Sequence, residues 1–191
     1  MPKSDIFMEE TCVPEKQWFV MRDLKRSNAK LPAYKQLAEA GFRVFTPLTT
    51  KVVECAGKRK RVEVPFVQDM LFVFSEKETL DTVVARTETL QYRYVKGAAY
   101  CSPMVVQARD MERFIAAISM TKTPQYYSPD EISPDMCGAK VRVICEGPLN
   151  GFEGVLLKVK GSGKKKLVVK LPGLLAAAVE VGRTDYVELI G

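Results

Sequence analysis

Side chains suited to acid–base or nucleophilic chemistry are scarce in this chain, whereas cations able to neutralise phosphates are grouped. The sequence contains no histidine, so the commonest proton-transfer group and the usual partner of a nucleophilic serine or cysteine are missing. Five cysteines, Cys12, Cys55, Cys101, Cys137 and Cys145, form an odd set with no CxxC spacing. Without histidine they do not complete a zinc site and read as reduced thiols in the cytoplasm, with no metal and no cofactor expected. No phosphate-binding Walker loop, no GxGxxG after a strand and no paired-carboxylate motif is present. Asp110 and Glu112 share a stretch with Met111, Phe114, Ile115 and Ile118, the pattern of an amphipathic helix whose acids face solvent. An enzyme is not expected.

The cations are more informative. Arg22, Lys25, Arg26 and Lys30 fall within nine residues, and Lys58-Arg59-Lys60-Arg61 follows Gly57 directly. A third group, Lys164-Lys165-Lys166, follows Gly161-Ser162-Gly163 as a hairpin turn. With a net charge of +6, the chain can meet nucleic acid or an acidic protein, and the first two groups suit a phosphate backbone, while sequence choice would need base contacts besides. The alternatives are a solvated helix face for the first group and a solubilising hairpin tip for the second, and the third reads by default as a structural turn.

The elements that must position these groups fall into two modules. A chain of 191 residues that is 47% hydrophobic can bury one good core or two small ones. Thr121 to Asp135, with Pro124, Pro129 and Pro134 and no apolar periodicity, separates them, because these prolines disfavour a continuous helix. The expected organisation is an arm over 1–15, a first domain over 16–120, a linker over 121–137 and a second domain over 138–191. In the first domain, Gln17 to Arg22, Phe42 to Pro47, Pro65 to Phe74 and Tyr92 to Val95 read as strands. One helix starts at Pro32 or near Ser27, carries Leu31, Tyr34, Leu37 and Ala38 on one face, and stops at Gly41. A second runs from an N-cap at Ser75 to about Ala85, and a third spans about Ala108 to Ser119. In the second domain, strands Val141 to Ile144 and Val155 to Val159 flank a loop where Gly147, Gly151 and Gly154 can supply positive φ. The longest apolar run, Leu174 to Val179, is too short to cross a bilayer, and the N-terminus lacks a signal pattern.

Residues 140–159, with strand, Gly-Pro turn, glycine and strand in succession, resemble the KOW pattern of a small SH3-like β-barrel found in NusG-type transcription factors and several ribosomal proteins. Trp18-Phe19-Val20, Gly41-Phe42 with Val44-Phe45 and Pro47, Gly57-Lys58-Arg59, and Pro65 with Leu71-Phe72-Val73 resemble, in this order, the NusG N-terminal (NGN) domain. Together the resemblance covers roughly residues 16–190. The GKR hairpin, the LFV strand and the lack of a large insertion look closer to the specialised paralogues RfaH and UpxY than to housekeeping NusG. It implies an α+β protein: an NGN-type α/β sandwich followed by a small SH3-like KOW β-barrel. It also implies a non-enzymatic elongation factor that binds the clamp of the largest RNA polymerase subunit and non-template DNA and suppresses pausing or termination. Operon-specific antitermination of capsule or surface polysaccharide genes follows from the paralogue likeness. A general NusG-like factor and a KOW-type ribosome or RNA-binding protein are the alternatives, and no membrane partner is implied.

By the same resemblance, Phe66, Val67, Met70 and Phe72 form the apolar polymerase-facing depression. Gln68-Asp69-Met70 departs from the family's proline followed by Gly-Tyr or Asn-Tyr, and alternate residues of this strand could equally be core. Arg22, Lys25, Arg26 and Lys30 take the face that touches non-template DNA, with Lys58 and Arg59 a further nucleic-acid group on the hairpin. Leu171, Pro172 and Leu174 form the KOW partner loop, implied to meet a small-subunit ribosomal protein, with Pro172 where housekeeping relatives carry an aromatic residue. Leu174 to Glu180 has high helix propensity for a barrel strand. In RfaH the KOW segment can refold as helices, so an independent barrel and a helical alternative both follow.

Overall fold

The computed structural model of the chain describes residues 15–25, 29–55, 57–97, 101–121, 124–146, 150–157, 166–181 and 186–190. The expectations for the arm before residue 15, for Arg26, Gly147, Lys164 and Lys165 lie outside these residues. Up to residue 119 the chain forms β1 (Gln17–Asp23), α1 (Ala33–Glu39), β2 (Arg43–Phe45), β3 (Leu48–Cys55), β4 (Lys58–Pro65) and β5 (Met70–Ser75). These are followed by α2 (Lys77–Arg86), β6 (Leu90–Tyr92), β7 (Val105–Val106) and α3 (Ala108–Ser119). Beyond lie β8 (Gln125–Tyr127), β9 (Cys137–Ile144), β10 (Glu153–Leu157), β11 (Lys166–Leu171), β12 (Leu175–Glu180) and β13 (Tyr186–Leu189).

The first sheet runs β2-β5-β1-β6, with β7 also paired to β1, and all its pairs are antiparallel. Its central strands are apolar on both faces, and the two-residue period divides them between two layers. Phe19, Met21, Leu71 and Val73 pack under Ala33 and Leu37 of α1 and Leu80 of α2. Trp18, Val20, Met70 and Phe72 point the other way, into a cluster that holds Met111, Phe114, Ala117 and Ile118 of α3. Helix α1 ends in a Schellman motif: Gly41 sits at φ +86°, its N–H donates to Ala38 O, and Phe42 N–H donates to Leu37 O. Of the face expected for α1, Leu37 is buried but Leu31 and Ala38 are exposed, because Ala33 turns inward instead. Ser75 ends β5 rather than capping α2; its hydroxyl donates to Glu76 O, and Glu76 is the N-cap residue.

Helix α3 matches its expected span and joins the two halves. Its buried stripe packs on β1 on one side and on β11 and β12 on the other. Phe114 meets Phe45 edge-on at 6.1 Å, and the same cluster contains Val141, Leu167, Leu171, Leu175 and Val179. Arg113 lies 5.6 Å over the Phe152 ring, and Arg43 bridges β2 to Glu112 of α3 at 2.7 Å.

The second sheet is antiparallel with order β13-β9-β10-β11-β12-β8. Its last strand, β8, comes from the stretch expected as linker: Tyr127, Tyr126 and Gln125 pair with Ala176, Ala177 and Ala178. Alanine-rich β12 is a strand, not a helix, because both faces are covered. Leu175, Ala177 and Val179 join the α3 cluster, while Ala176 and Ala178 pack with Leu157 and Val168. Gly151 holds φ +74°, as expected of a turn glycine. Gly154 is needed for space rather than for φ, since a Cβ there would lie 2.8 Å from Val168 O and 2.9 Å from Leu167 Cδ1.

Because Phe114 is fully buried where both sheets meet the helix, Phe114→Ala is expected to lower the unfolding free energy by about 3–5 kcal/mol. Urea unfolding followed by circular dichroism measures this, and a loss below about 1 kcal/mol would show that the helix is not the common support of both sheets.

Candidate functional site

An open groove of about 570 Å³ lies between the β1–α1 connection and the base of the β3–β4 hairpin. Lys25, Lys30, Tyr34, Lys35, Lys51, Phe66 and Met70 line it. Residues expected on two separate surfaces, one cationic and one apolar, therefore meet in one concavity.

Asp23 and Glu63 are the carboxylates that line it, and Asp69 stands in the turn between the lining residues Gln68 and Met70. Asp23 Oδ2 accepts from Ala33 N–H at 2.7 Å and Oδ1 from Lys25 N–H at 3.0 Å. It thereby satisfies the first amide of α1, which Pro32 at the N-cap has no side-chain donor or acceptor to serve. Lys25 Nζ folds back to Leu31 O at 3.1 Å and Gln36 Oε1 at 2.8 Å. Asp69, in the turn before β5, takes Arg22 Nε at 3.0 Å and Arg93 Nη2 at 3.3 Å. Two of the expected nucleic-acid cations thus spend their donors on the fold. Arg22 is neutralised locally, and Lys25 ties the connection to α1. Lys30 stays exposed at the groove, joined by Lys35 and Lys51, which sequence reasoning did not single out. No spacing rule links Asp23 to Ala33 or Lys51 to Lys30; only the tertiary fold does. Lys58 and Arg59 are exposed at the start of β4.

The apolar set is divided by burial. The expected strand over Pro65 to Phe74 breaks into a turn, where Met70 N–H donates to Val67 O and Phe66 N–H to Pro47 O. Phe66 and Val67 are partly buried, whereas Met70 and Phe72 are 3% and 0% exposed. Their sheet face is the one that α3 and the second sheet cover, so of this set only Phe66 and Val67 reach the surface appreciably. Phe66 packs on Tyr126 of β8 with ring centroids 5.5 Å apart, and burial pushes the Tyr126 phenol up to about 12. In the expected partner loop, Leu171 and Leu174 are likewise buried, at 1% and 8%, and Pro172 is exposed. The loop borders a second groove with Met104, Val106 and Asp110 of the first half.

Among the described residues no group of three or more His, Cys, Asp or Glu side chains could hold a metal ion. No described helix is long and apolar enough to cross a membrane.

Residues 16–115, from the approach to β1 into α3, match the family described as transcription termination factor NusG. The match covers more than half of the chain, and the protein belongs to the NusG family of transcription elongation and termination factors, whose members bind RNA polymerase and are not enzymes. No curated protein gives a significant match.

Asp23→Ala should remove about 1–2 kcal/mol of stability, as loss of a capping acceptor does. It should also speed amide exchange at Ala33 before that of the β1 core. Unchanged protection at Ala33 by hydrogen-exchange NMR would contradict the capping role.

Proposed function

We propose that this protein is a specialised NusG paralogue that binds the clamp of the largest RNA polymerase subunit together with non-template DNA, and that it suppresses pausing or termination in the cytoplasm. The observation that carries the reading is the groove in which Lys30, Lys35 and Lys51 stand beside Tyr34, Phe66 and Met70 on the domain matched to the family. Cations at such an edge neutralise phosphates, aromatic faces stack unpaired bases, and the adjoining apolar rim suits a protein helix. Binding energy alone then shifts polymerase toward its elongating state, in proportion to the differential affinity for that state.

The clamp contact starts from Phe66 and Val67, with Met70 and Phe72 supporting it from beneath. Tyr126 covers part of Phe66, so a docking helix competes with β8 for that ring. The second sheet serves as the KOW barrel, with Pro172 as the exposed point of a loop for a small-subunit ribosomal protein. Service to capsule or surface polysaccharide operons is the finer form of this proposal, and a general NusG-like role is its runner-up.

Met70→Asp is a poor probe, because a buried carboxylate would unfold the domain as well as any contact. Val67→Asp, at the partly exposed rim, should keep the wild-type circular dichroism and lose roughly tenfold or more in affinity for core RNA polymerase, the cost of about 1.4 kcal/mol or more. Full retention of polymerase by the folded variant would place the contact elsewhere. Capture of ribosomes without polymerase by the wild type would favour the ribosomal reading.

A further inference from the structure

Strands β3 and β4 pair without a bulge from Leu48 opposite Pro65 to Cys55 opposite Lys58. Directly opposed residues share a face and successive residues alternate, so the register alone assigns every side chain to one side of the ribbon. One face carries Lys51, Lys58 and Lys60 with Thr49, Val53, Val62 and Val64, and no carboxylate. The other carries Arg59 and Arg61, with Glu54 directly opposite Arg59 and Glu63 next but one to Arg61 on the same strand. The run Lys58-Arg59-Lys60-Arg61, one basic group in the sequence, is therefore split into a face of charge +3 and a face that is neutral when Glu54 and Glu63 are counted. Lys51, Lys58 and Lys60 are exposed and take part in no ion pair among the described residues.

The lysine face does not end at the ribbon. Lys51 and Val64, which belong to it, line the large groove together with Lys30, Lys35 and Tyr34, whereas the opposite face enters that groove only with Glu63 and Pro65, a carboxylate and no cation. Lys58 and Lys60 stand two residues apart on one strand, about 6.8 Å along it, a spacing comparable with that of successive phosphates in an extended single strand. Lysine acts as a mobile point charge suited to tracking a backbone without reading bases. The aromatic rings of Tyr34 and Phe66 at the groove favour unpaired bases over a duplex.

We infer that the lysine face of the β3–β4 hairpin, continuous with the groove through Lys51, is a phosphate-tracking surface for a single-stranded nucleic acid, and that the arginine face is not. The inference rests on the nucleic-acid reading above and adds to it which side of the hairpin the strand follows.

Two double variants of the full chain test it: Lys58→Ala with Lys60→Ala, and Arg59→Ala with Arg61→Ala. Each removes two positive charges from exposed, adjacent positions, so long-range electrostatics change equally and only the face differs. Fluorescence anisotropy with a labelled mixed-sequence single-stranded DNA, across a salt series, reads affinity and salt slope. The lysine variant should bind on the order of tenfold more weakly at about 0.1 M salt, with a log–log slope shallower by about 0.7 for each lost contact. The arginine variant should stay within about twofold of wild type. Equal losses in both variants, or a larger loss for the arginine pair, overturn the face assignment while leaving nucleic-acid binding intact. Tighter binding of the wild type to a duplex of the same sequence overturns the commitment to a single strand. Absence of wild-type binding at low salt overturns this inference and the nucleic-acid reading together.

Discussion

Burial of the α3 stripe between two sheets is the constraint on which the remaining structure depends. Trp18, Val20, Met70 and Phe72 from the first sheet and Leu167, Leu171 and Val179 from the second share one apolar cluster with Met111, Phe114 and Ile118. An amphipathic helix ordinarily satisfies one neighbour; here the stripe meets two, and each sheet supplies the cover that the other side of the helix lacks. The arrangement explains why β1 and β5 are apolar on both faces, why Met70 and Phe72 lie out of reach, and why Leu171 and Leu174 are buried in a loop that looks from sequence like a contact surface. Access to these faces accordingly depends on how the second sheet sits on α3, where Phe66 and Tyr126 touch across the seam.

Charge follows an equally physical division. Cations near a carboxylate or another fixed oxygen acceptor are spent locally: Arg22 on Asp69, Lys25 on Leu31 O and Gln36, Arg43 on Glu112. Among the described cations with no such partner, Lys30, Lys35 and Lys51 line the groove, and Lys51, Lys58 and Lys60 share one side of a hairpin. Exposed ion pairs of the first kind add little stability, but they fix geometry. Asp23 in particular sets where α1 begins, and with it the wall of the groove.

Much of this was legible in the sequence wherever a period or a single residue type dictates the local answer. Helix α3 reads out from the spacing of Met111, Phe114 and Ile118, the end of α1 from Gly41, and β1 from its apolar run. Legibility fails where a long-range partner decides. Three residues, Gln125 to Tyr127, are too few to show a period, and they become a strand only because β12 offers them a ladder. The apolar stretch from Pro65 carries no glycine to announce the turn at Phe66 to Asp69. Alanine favours helix in Ala176 to Ala178, yet packing on both faces overrides that propensity. For the site, sequence located the cationic segments but not their sorting, since Asp23 and Asp69 exert their effect through folding, and hairpin register separates adjacent lysines and arginines.

The proposed action of this NusG-family protein is to bind polymerase together with exposed DNA. The most direct test is a single-round transcription assay on a template with a strong pause, using purified core polymerase and this protein. Shorter pause lifetimes that depend on protein concentration, and that are lost with Val67→Asp, are the predicted result. Unchanged pause lifetimes at concentrations where the protein demonstrably occupies polymerase would contradict it.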